Sequence, residues 1–191
     1  MGFLDGILGR RKAVAPDLDS LFALPAAALT LQAALDLVPT GRGAVAFRVA
    51  EGRAFADVEA EVRGLLEAGG GPPVEVAGDE FGFTWLVVRT EPADLPKVVT
   101  DLHAVNITLQ EHGFGPLLLC SLVSFRGPSD RPVALVYLYK QGTFYPFAPA
   151  ADGSQNRDNV YELQVRDTLG SDLRVEPELS RWFALWGAPG L

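Results

Sequence analysis

Two neighbouring apolar runs, 117–126 and 131–140, constrain the fold more than any other feature of this sequence. They are separated by Gly127-Pro-Ser-Asp130, a stretch rich in turn-forming residues. Apolar runs at this spacing predict a β-hairpin with a short loop, in which Arg126 lies opposite Arg131. The hairpin is expected to form part of a mostly antiparallel sheet.

Both faces of this predicted hairpin are apolar. In the predicted register, one face carries Leu117, Leu119, Val123, Phe125, Ala134, Val136 and Leu138. The opposite face carries Leu118, Cys120, Leu122, Val133, Leu135, Tyr137 and Tyr139. One layer of helices covers only one face, so a second layer or another subunit must cover the other. A homodimer formed through the hairpin is the resulting prediction.

The segment before the hairpin predicts a strand followed by a helix. Apolar and polar residues alternate over 81–90, which predicts a strand. The residues that would share one face of this strand are Phe81, Phe83, Trp85 and Val87. Over 94–112 the apolar residues recur three or four positions apart, which predicts an amphipathic helix. Asp94 is typical of a helix N-terminus, and Gly113 is typical of the residue that follows a helix.

The remaining segments complete the prediction of an α+β fold. Helices are predicted over 17–24, 53–68 and 159–170, with strands over 28–37, 44–49 and 74–77. The amphipathic helices would pack on one face of the sheet. We interpret residues 17–191 as a single domain, with a C-terminal helical segment, about 157–191, docked on it. The order of helix and strands is similar to the type III secretion chaperone fold, which is an analogy of architecture only.

Composition excludes several classes of function. The formal net charge of −8 argues against a nucleic-acid-binding protein, which needs a basic surface. Cys120 is the single cysteine of the 191 residues, so neither an intramolecular disulfide nor a thiolate metal cluster is expected. Its apolar neighbours predict a buried thiol.

No pattern of catalytic residues is present in the sequence. The two histidines, His103 and His112, would point to opposite sides of the same predicted helix. Ser121 and Ser124 lack the surrounding sequence of a nucleophile elbow, and Asp79 lies in a predicted turn. We therefore expect a non-catalytic protein without a metal or another cofactor.

Residues 1–16 form a separate N-terminal arm in this interpretation. Its apolar residues at helical spacing, and the basic residues beside them, are Phe3, Leu4, Ile7, Leu8, Arg10, Arg11 and Lys12. This combination is typical of a segment that binds an anionic membrane surface. The alternative is a helical arm that packs on the domain.

Aromatic residues near the hairpin and the C-terminus are a second candidate surface for a partner. They are Tyr137, Tyr139, Trp182 and Trp186. Large aromatic side chains are frequent in the centres of protein interfaces. The alternative for the tryptophans is that they dock on the domain itself.

Three segments together resemble the actinobacterial-type PspA-associated proteins called PspAB. They are the start Met1-Gly-Phe-Leu-Asp5 with Leu8-Gly-Arg10, the run 16–25 with Pro39-Thr-Gly-Arg-Gly-Ala44, and the end Arg181-Trp-Phe-Ala-Leu-Trp-Gly-Ala-Pro189. The resemblance implies a cytoplasmic adaptor or regulator of the phage-shock envelope-stress response. Such a protein would act with a PspA-type protein, peripherally at the inner face of the membrane. A ligand-binding or secretion-chaperone-like module unrelated to membrane stress is the alternative.

The arm leads to a test with anionic vesicles. Its three basic residues contribute roughly 3 kcal/mol at most, and the negative charge of the remaining chain opposes binding. We expect weak, salt-sensitive co-sedimentation of the full chain, and stronger co-sedimentation when a PspA-type protein is added. A chain that begins at Ala13 should lose both. Equal co-sedimentation of the two chains under both conditions would mean that the arm has a structural role.

Overall fold

The computed structural model describes residues 16–48, 53–68, 72–79, 81–90 and 94–191. The helices are α1 (Leu24–Leu35), α2 (Arg53–Ala68), α3 (Leu95–Glu111) and α4 (Asn159–Leu169), and a 3₁₀ segment, Leu18–Ala23, leads into α1. The strands are β1 (Val38–Arg48), β2 (Glu75–Gly78), β3 (Phe83–Arg89), β4 (Leu118–Gly127), β5 (Arg131–Leu138) and β6 (Thr143–Phe147). These elements form an α+β fold, as predicted.

The strands form one six-stranded sheet in the order β2-β3-β1-β4-β5-β6. Every neighbouring pair in this sheet is antiparallel. The predicted hairpin is the pair β4 and β5, and it lies next to β1 inside the sheet rather than at an edge. Its two faces must therefore both be covered by other parts of the molecule.

The four helices cover one face of the sheet, which we call the inner face. The largest core cluster joins this face to apolar residues of all four helices, for example Leu31, Val62, Leu102 and Val165. Helix α3 lies so close to β1 that a β-carbon at Gly43 would be 2.8 Å from Cγ1 of Val98. A glycine at this position therefore permits the close contact between helix and sheet.

The C-terminal segment, residues 176–191, covers the opposite or outer face. A second core cluster joins Trp182 and Ala188 to outer-face residues of β1, β3, β4, β5 and β6. Its members Ala134, Val136 and Leu138 of β5 are at most 1% exposed. The second layer that the hairpin requires is thus supplied by the chain itself. The homodimer was predicted because one face of the hairpin was expected to lack a cover. That face is covered, so the homodimer stays a prediction without this reason for it.

The most regular apolar stripe in the sequence forms the predicted helix. Helix α3 spans Leu95–Glu111, and the Asp94 carboxylate accepts a hydrogen bond of 3.2 Å from the backbone N–H of Lys97. Gly113 follows the helix with a φ of 84°. These are the N-terminal cap and the left-handed terminating residue expected from the sequence.

The prediction of a strand over 28–37 is wrong. Residues 24–35 form helix α1, in which Leu24, Ala27, Ala28 and Leu31 are buried at the spacing of a helix. Alanine and leucine favour a helix, and Pro25 is compatible with its first turn. Strand β1 begins only at Val38 and includes Pro39-Thr-Gly-Arg-Gly43, a stretch whose residues are typical of a turn.

The predicted register of the hairpin is also wrong, by one residue. Arg131 pairs with Gly127 rather than with Arg126, because the loop is the three-residue segment Pro128–Asp130. Ser129 and Asp130 both adopt a φ of 59° in this loop. A shift of one residue exchanges the faces of one strand relative to the other. Val123 and Phe125 therefore share the inner face with Leu135 and Val133, instead of with Ala134 and Val136.

The helical stretch Leu18–Leu35 is long and apolar enough to cross a membrane by length and composition. Its residues Leu21, Leu24 and Leu31 are each at most 1% exposed and belong to the inner core cluster. These side chains pack against the sheet, while Phe22 and Leu29 on the other side of the stretch are exposed.

The assignment of buried and exposed helix faces can be tested by truncating one buried and one exposed leucine. Leu102→Ala should lower the free energy of unfolding by about 2–5 kcal/mol, because Leu102 is fully buried between α3 and the sheet. Leu29→Ala is the matched control, because Leu29 is 69% exposed, and should change it by less than about 0.5 kcal/mol. Urea unfolding of both variants measures the difference. Equal losses would contradict the assignment of the buried helix faces.

Candidate binding cleft

A cleft of about 380 Å³ lies at one end of the outer face, between the sheet and the C-terminal segment. We call it the aromatic cleft. It is lined by Ala46, Arg48, Asp79, Phe81, Phe83, Trp85, Leu119, Cys120, Phe183, Ala184, Leu185 and Trp186. Its size is at the lower end of the range for ligand-binding pockets, and its lining is mostly apolar and aromatic.

One wall of the cleft is formed by β3 and the turn before it. Phe81, Phe83 and Trp85 face the cleft together, so the prediction that these residues share a face is confirmed. The carboxylate of Asp79 holds this turn: Oδ1 accepts hydrogen bonds of 2.9 Å from the backbone N–H groups of Phe81 and Phe83. Its Oδ2 accepts a hydrogen bond of 2.9 Å from Nε1 of Trp85. Asp79 therefore positions the aromatic wall.

The opposite wall is the C-terminal segment, Phe183 to Trp186. The Tyr145 hydroxyl donates a hydrogen bond of 3.1 Å to the carbonyl oxygen of Phe183. The ring of Trp186 lies edge-on to the ring of Phe147, with 5.1 Å between centroids. Both anchoring side chains belong to β6, so this wall is fixed to the sheet from behind.

Trp182 lies behind the wall and closes the outer core. Its ring stacks on Tyr145 at 5.8 Å, and its Nε1 donates a hydrogen bond of 3.0 Å to the carbonyl oxygen of Glu176. The guanidinium of Arg157 donates to the carbonyl oxygen of Trp182. Trp182 thus has a structural position, with 7% of its surface exposed.

Arg157 connects the C-terminal segment to α4 through Glu162. Its Nε lies 2.9 Å from Oε1 of Glu162, a side chain that is 2% exposed. Burial raises the pKa of Glu162, while hydrogen bonds from the Ala148 amide and from Arg157 lower the pKa of the same carboxyl. Asp158, and not Asn159, caps α4 by accepting a hydrogen bond from Tyr161. The sequence Asn159-Val-Tyr-Glu162 has the pattern of a capping box, but the Glu162 carboxylate is engaged in this buried cluster instead.

The two charged side chains that line the aromatic cleft, Asp79 and Arg48, differ in their hydrogen-bond partners. Asp79 already accepts three hydrogen bonds from its own turn. Arg48 is exposed at the end of β1, on the same face as Ala44 and Ala46, and lines the cleft. Among the described residues, its guanidinium has neither an ion pair nor a side-chain hydrogen bond. The described part of the cleft lining therefore offers one available cation beside an apolar surface.

Two aromatic rings at the cleft remain largely in contact with solvent. Phe81 is 56% exposed and Phe183 is 54% exposed, whereas Trp85 below them is 2% exposed. Burying this remaining aromatic surface against another molecule would be favourable. The cleft can bind an apolar group, and its walls are already in place.

The structure separates the residues that the sequence had grouped as candidate sites. Tyr137 and Tyr139 are buried under the helices, where their hydroxyls donate to the carbonyl oxygen of Asp17 and to Oε1 of Gln110. They do not form an exposed partner surface, because both belong to the inner core cluster. Of the four aromatic candidates, only Trp186 lines the cleft. The arm residues Phe3, Leu4, Ile7, Leu8, Arg10, Arg11 and Lys12 lie outside the described residues.

The sequence interpretation missed Arg48, Phe81, Phe83 and Phe183 as site residues. The alternation of aromatic residues over 81–85 was the available signal for two of them. Nothing in the sequence indicates that Arg48 and Phe183 meet, because their proximity depends on how the C-terminal segment crosses the sheet.

Potential metal ligands are dispersed over the described residues. No group of three histidine, cysteine, aspartate or glutamate side chains comes together there. His103 lies 3.3 Å from the carboxylate of Asp19, and His112 lies 3.3 Å from that of Glu61. Each histidine therefore has a separate acidic neighbour on the helical side of the molecule.

A wider groove of about 590 Å³ lies between α1, the start of β1 and the start of α3. It is lined by Pro25, Ala28, Leu29, Gln32, Val38, Pro39, Leu95 and Pro96. None of these side chains carries a charge that could orient a ligand. The aromatic cleft has both an apolar lining and a directional polar group, which is the usual combination in binding sites.

Comparison with known proteins identifies a family. A model of the family described as PspA associated protein B matches residues 1–190. No curated protein and no solved structure matches the chain. The likeness to type III secretion chaperones accordingly has no support beyond the order of the elements.

The position of Cys120 in the cleft lining can be tested through the reactivity of its thiol. Burial raises the pKa of the Cys120 thiol to about 12, and the nearby charge of Asp79 acts in the same direction. At pH 8 the reactive thiolate is scarce, so labelling by a disulfide reagent should be at least ~100-fold slower in the folded protein than in urea. The two labelling rates, followed by absorbance, measure the ratio. Fast labelling of the folded protein would contradict the buried position of Cys120.

Proposed function

Because the chain belongs to the PspA associated protein B family, we propose that it is a non-catalytic adaptor for a PspA-type protein in the envelope-stress response. In this proposal the aromatic cleft is the site at which the partner docks. The observation that carries the proposal is the exposure of Phe81 and Phe183 over a preformed aromatic cleft.

The exposed aromatic surface is large enough to contribute substantially to binding. A phenylalanine side chain that is about half exposed leaves on the order of 100 Å² to be buried by a partner. At about 25 cal/mol per Å², each ring would contribute roughly 2–3 kcal/mol before the costs of association. Two such rings, with Trp186 in the same lining, fit the pattern of an interface centre.

The rigidity of the walls supports the same proposal. The turn is held by the three hydrogen bonds to Asp79, and Phe183 is held by Tyr145. A preformed cleft loses little conformational freedom when a partner binds, which favours affinity.

We place the adaptor in the cytoplasm, peripherally at the inner face of the membrane. The apolar and basic residues of the arm support this localisation, and the partner would add the affinity that three basic residues cannot provide. A small-molecule ligand in the cleft is the second candidate, favoured by the cleft volume of about 380 Å³. A thermal-shift screen of the protein alone against small amphiphiles distinguishes it from the adaptor.

The docking site can be tested with single substitutions and a PspA-type protein from the same genome. Phe183→Ser and Phe81→Ser should each weaken binding by about tenfold or more, since each removes an exposed ring from the interface centre. Val160→Ser is the matched control, because Val160 is 80% exposed on α4 and lies away from the cleft. Calorimetric titration measures the affinities, and thermal unfolding checks that each variant is folded. Binding that is unchanged in both phenylalanine variants would refute the cleft as the docking site.

A further inference from the structure

We propose that the aromatic cleft selects a partner segment in which a large apolar side chain stands next to a carboxylate, with Arg48 as the group that recognises the carboxylate. This inference rests on the proposed function, because it names the chemistry of the partner at the same site. It adds a residue that determines specificity, which neither the family match nor the apolar lining provides.

The position of Arg48 carries the first step of the argument. Arg48 ends β1 and lies opposite Phe83 in the pairing of β1 with β3. Its side chain extends on the outer face, where it lines the cleft beside the aromatic wall. An apolar group in the cleft would therefore place its neighbouring atoms within reach of the guanidinium.

The second step is the difference between the two charged groups of the lining. The Asp79 carboxylate is occupied by two backbone N–H groups and by Nε1 of Trp85. The guanidinium of Arg48 has no such partner within the described residues. The described cleft lining thus presents free hydrogen-bond donors of positive charge, while its one carboxylate is already occupied, which favours an acidic ligand over a basic one.

The third step concerns the kind of anion. A guanidinium binds one carboxylate through two parallel hydrogen bonds. Arg48 is the one cationic side chain of the described cleft lining, and the whole chain has a formal net charge of −8. A polyanion would need several cations and would be repelled by the rest of the surface. A single carboxylate beside an apolar anchor fits the charges present.

The first experiment uses three short peptides that differ only in charge. They are the acetylated and amidated sequences Gly-Glu-Phe-Glu-Gly, Gly-Gln-Phe-Gln-Gly and Gly-Lys-Phe-Lys-Gly. Binding is followed by the fluorescence of Trp85 and Trp186, which line the cleft. The glutamate peptide should bind about threefold more tightly than the glutamine peptide, and the lysine peptide should bind most weakly.

Two variants of the protein test whether Arg48 causes the preference for the glutamate peptide. Arg48→Ala should make the glutamate and glutamine peptides bind equally. Arg53→Ala, which removes an exposed arginine at the start of α2, should leave the preference unchanged. Equal binding of the three peptides to the unaltered protein would overturn the proposal. So would the absence of any binding of the glutamate peptide up to about 1 mM.

The second experiment separates this inference from the proposed function. With the full chain and the PspA-type protein, Arg48→Glu should weaken binding by about tenfold, because it replaces attraction by repulsion. Loss of binding in Phe183→Ser together with unchanged binding in Arg48→Glu would overturn the role of Arg48 and leave the docking site intact. Unchanged binding in both variants would overturn both proposals.

Discussion

The attachment of the C-terminal segment to β6 is the interaction on which the rest of the structure depends. The backbone N–H of Phe144 donates to the carbonyl oxygen of Arg174 at 2.8 Å, and that of Glu176 donates to Phe144 at 2.7 Å. The buried carboxylate of Glu176 also accepts a hydrogen bond of 2.7 Å from the Thr143 hydroxyl. These contacts cover the exposed edge of the sheet and direct the chain across its outer face. The outer core and one wall of the aromatic cleft both follow from this path.

Two buried carboxylates give this path its specificity. Glu176 is bound by Thr143, Arg181 and the backbone of Glu178, while Glu162 is bound by Arg157 and the backbone of Ala148. A buried carboxylate without such donors would destabilise the fold, so these contacts favour the observed position of the C-terminal segment. Apolar contacts alone would permit the segment to shift along the sheet. The polar clusters around Glu176 and Glu162 therefore help to fix the positions of Phe183 and Trp186.

The sequence predicts the secondary structure correctly wherever its pattern of apolar residues is long and regular. Helix α3 and helix α2 have clear apolar stripes, and the alternation from Phe81 to Val87 correctly indicates one face of β3. The stretch 28–35 was misassigned because it is apolar on nearly every side, so its periodicity does not distinguish a helix from a strand. The hairpin register depended on two left-handed residues in the loop, Ser129 and Asp130, which no apolar pattern reveals. The cleft depended on contacts between residues far apart in the chain, such as Arg48 and Phe183, and these arise only from the path of the C-terminal segment.

The outer layer also has a consequence for the order of folding during synthesis. Strands β1 to β6 and the helices on the inner face precede residues 176–191 in the chain, so the sheet emerges from the ribosome before its outer cover. Until that cover arrives, Val136, Tyr145 and Phe147 have no partner from Trp182 or Ala188. Nascent chains with such uncovered strands are prone to associate with one another. The outer core, unlike the sheet beneath it, therefore cannot be completed until the last residues of this segment have been synthesised.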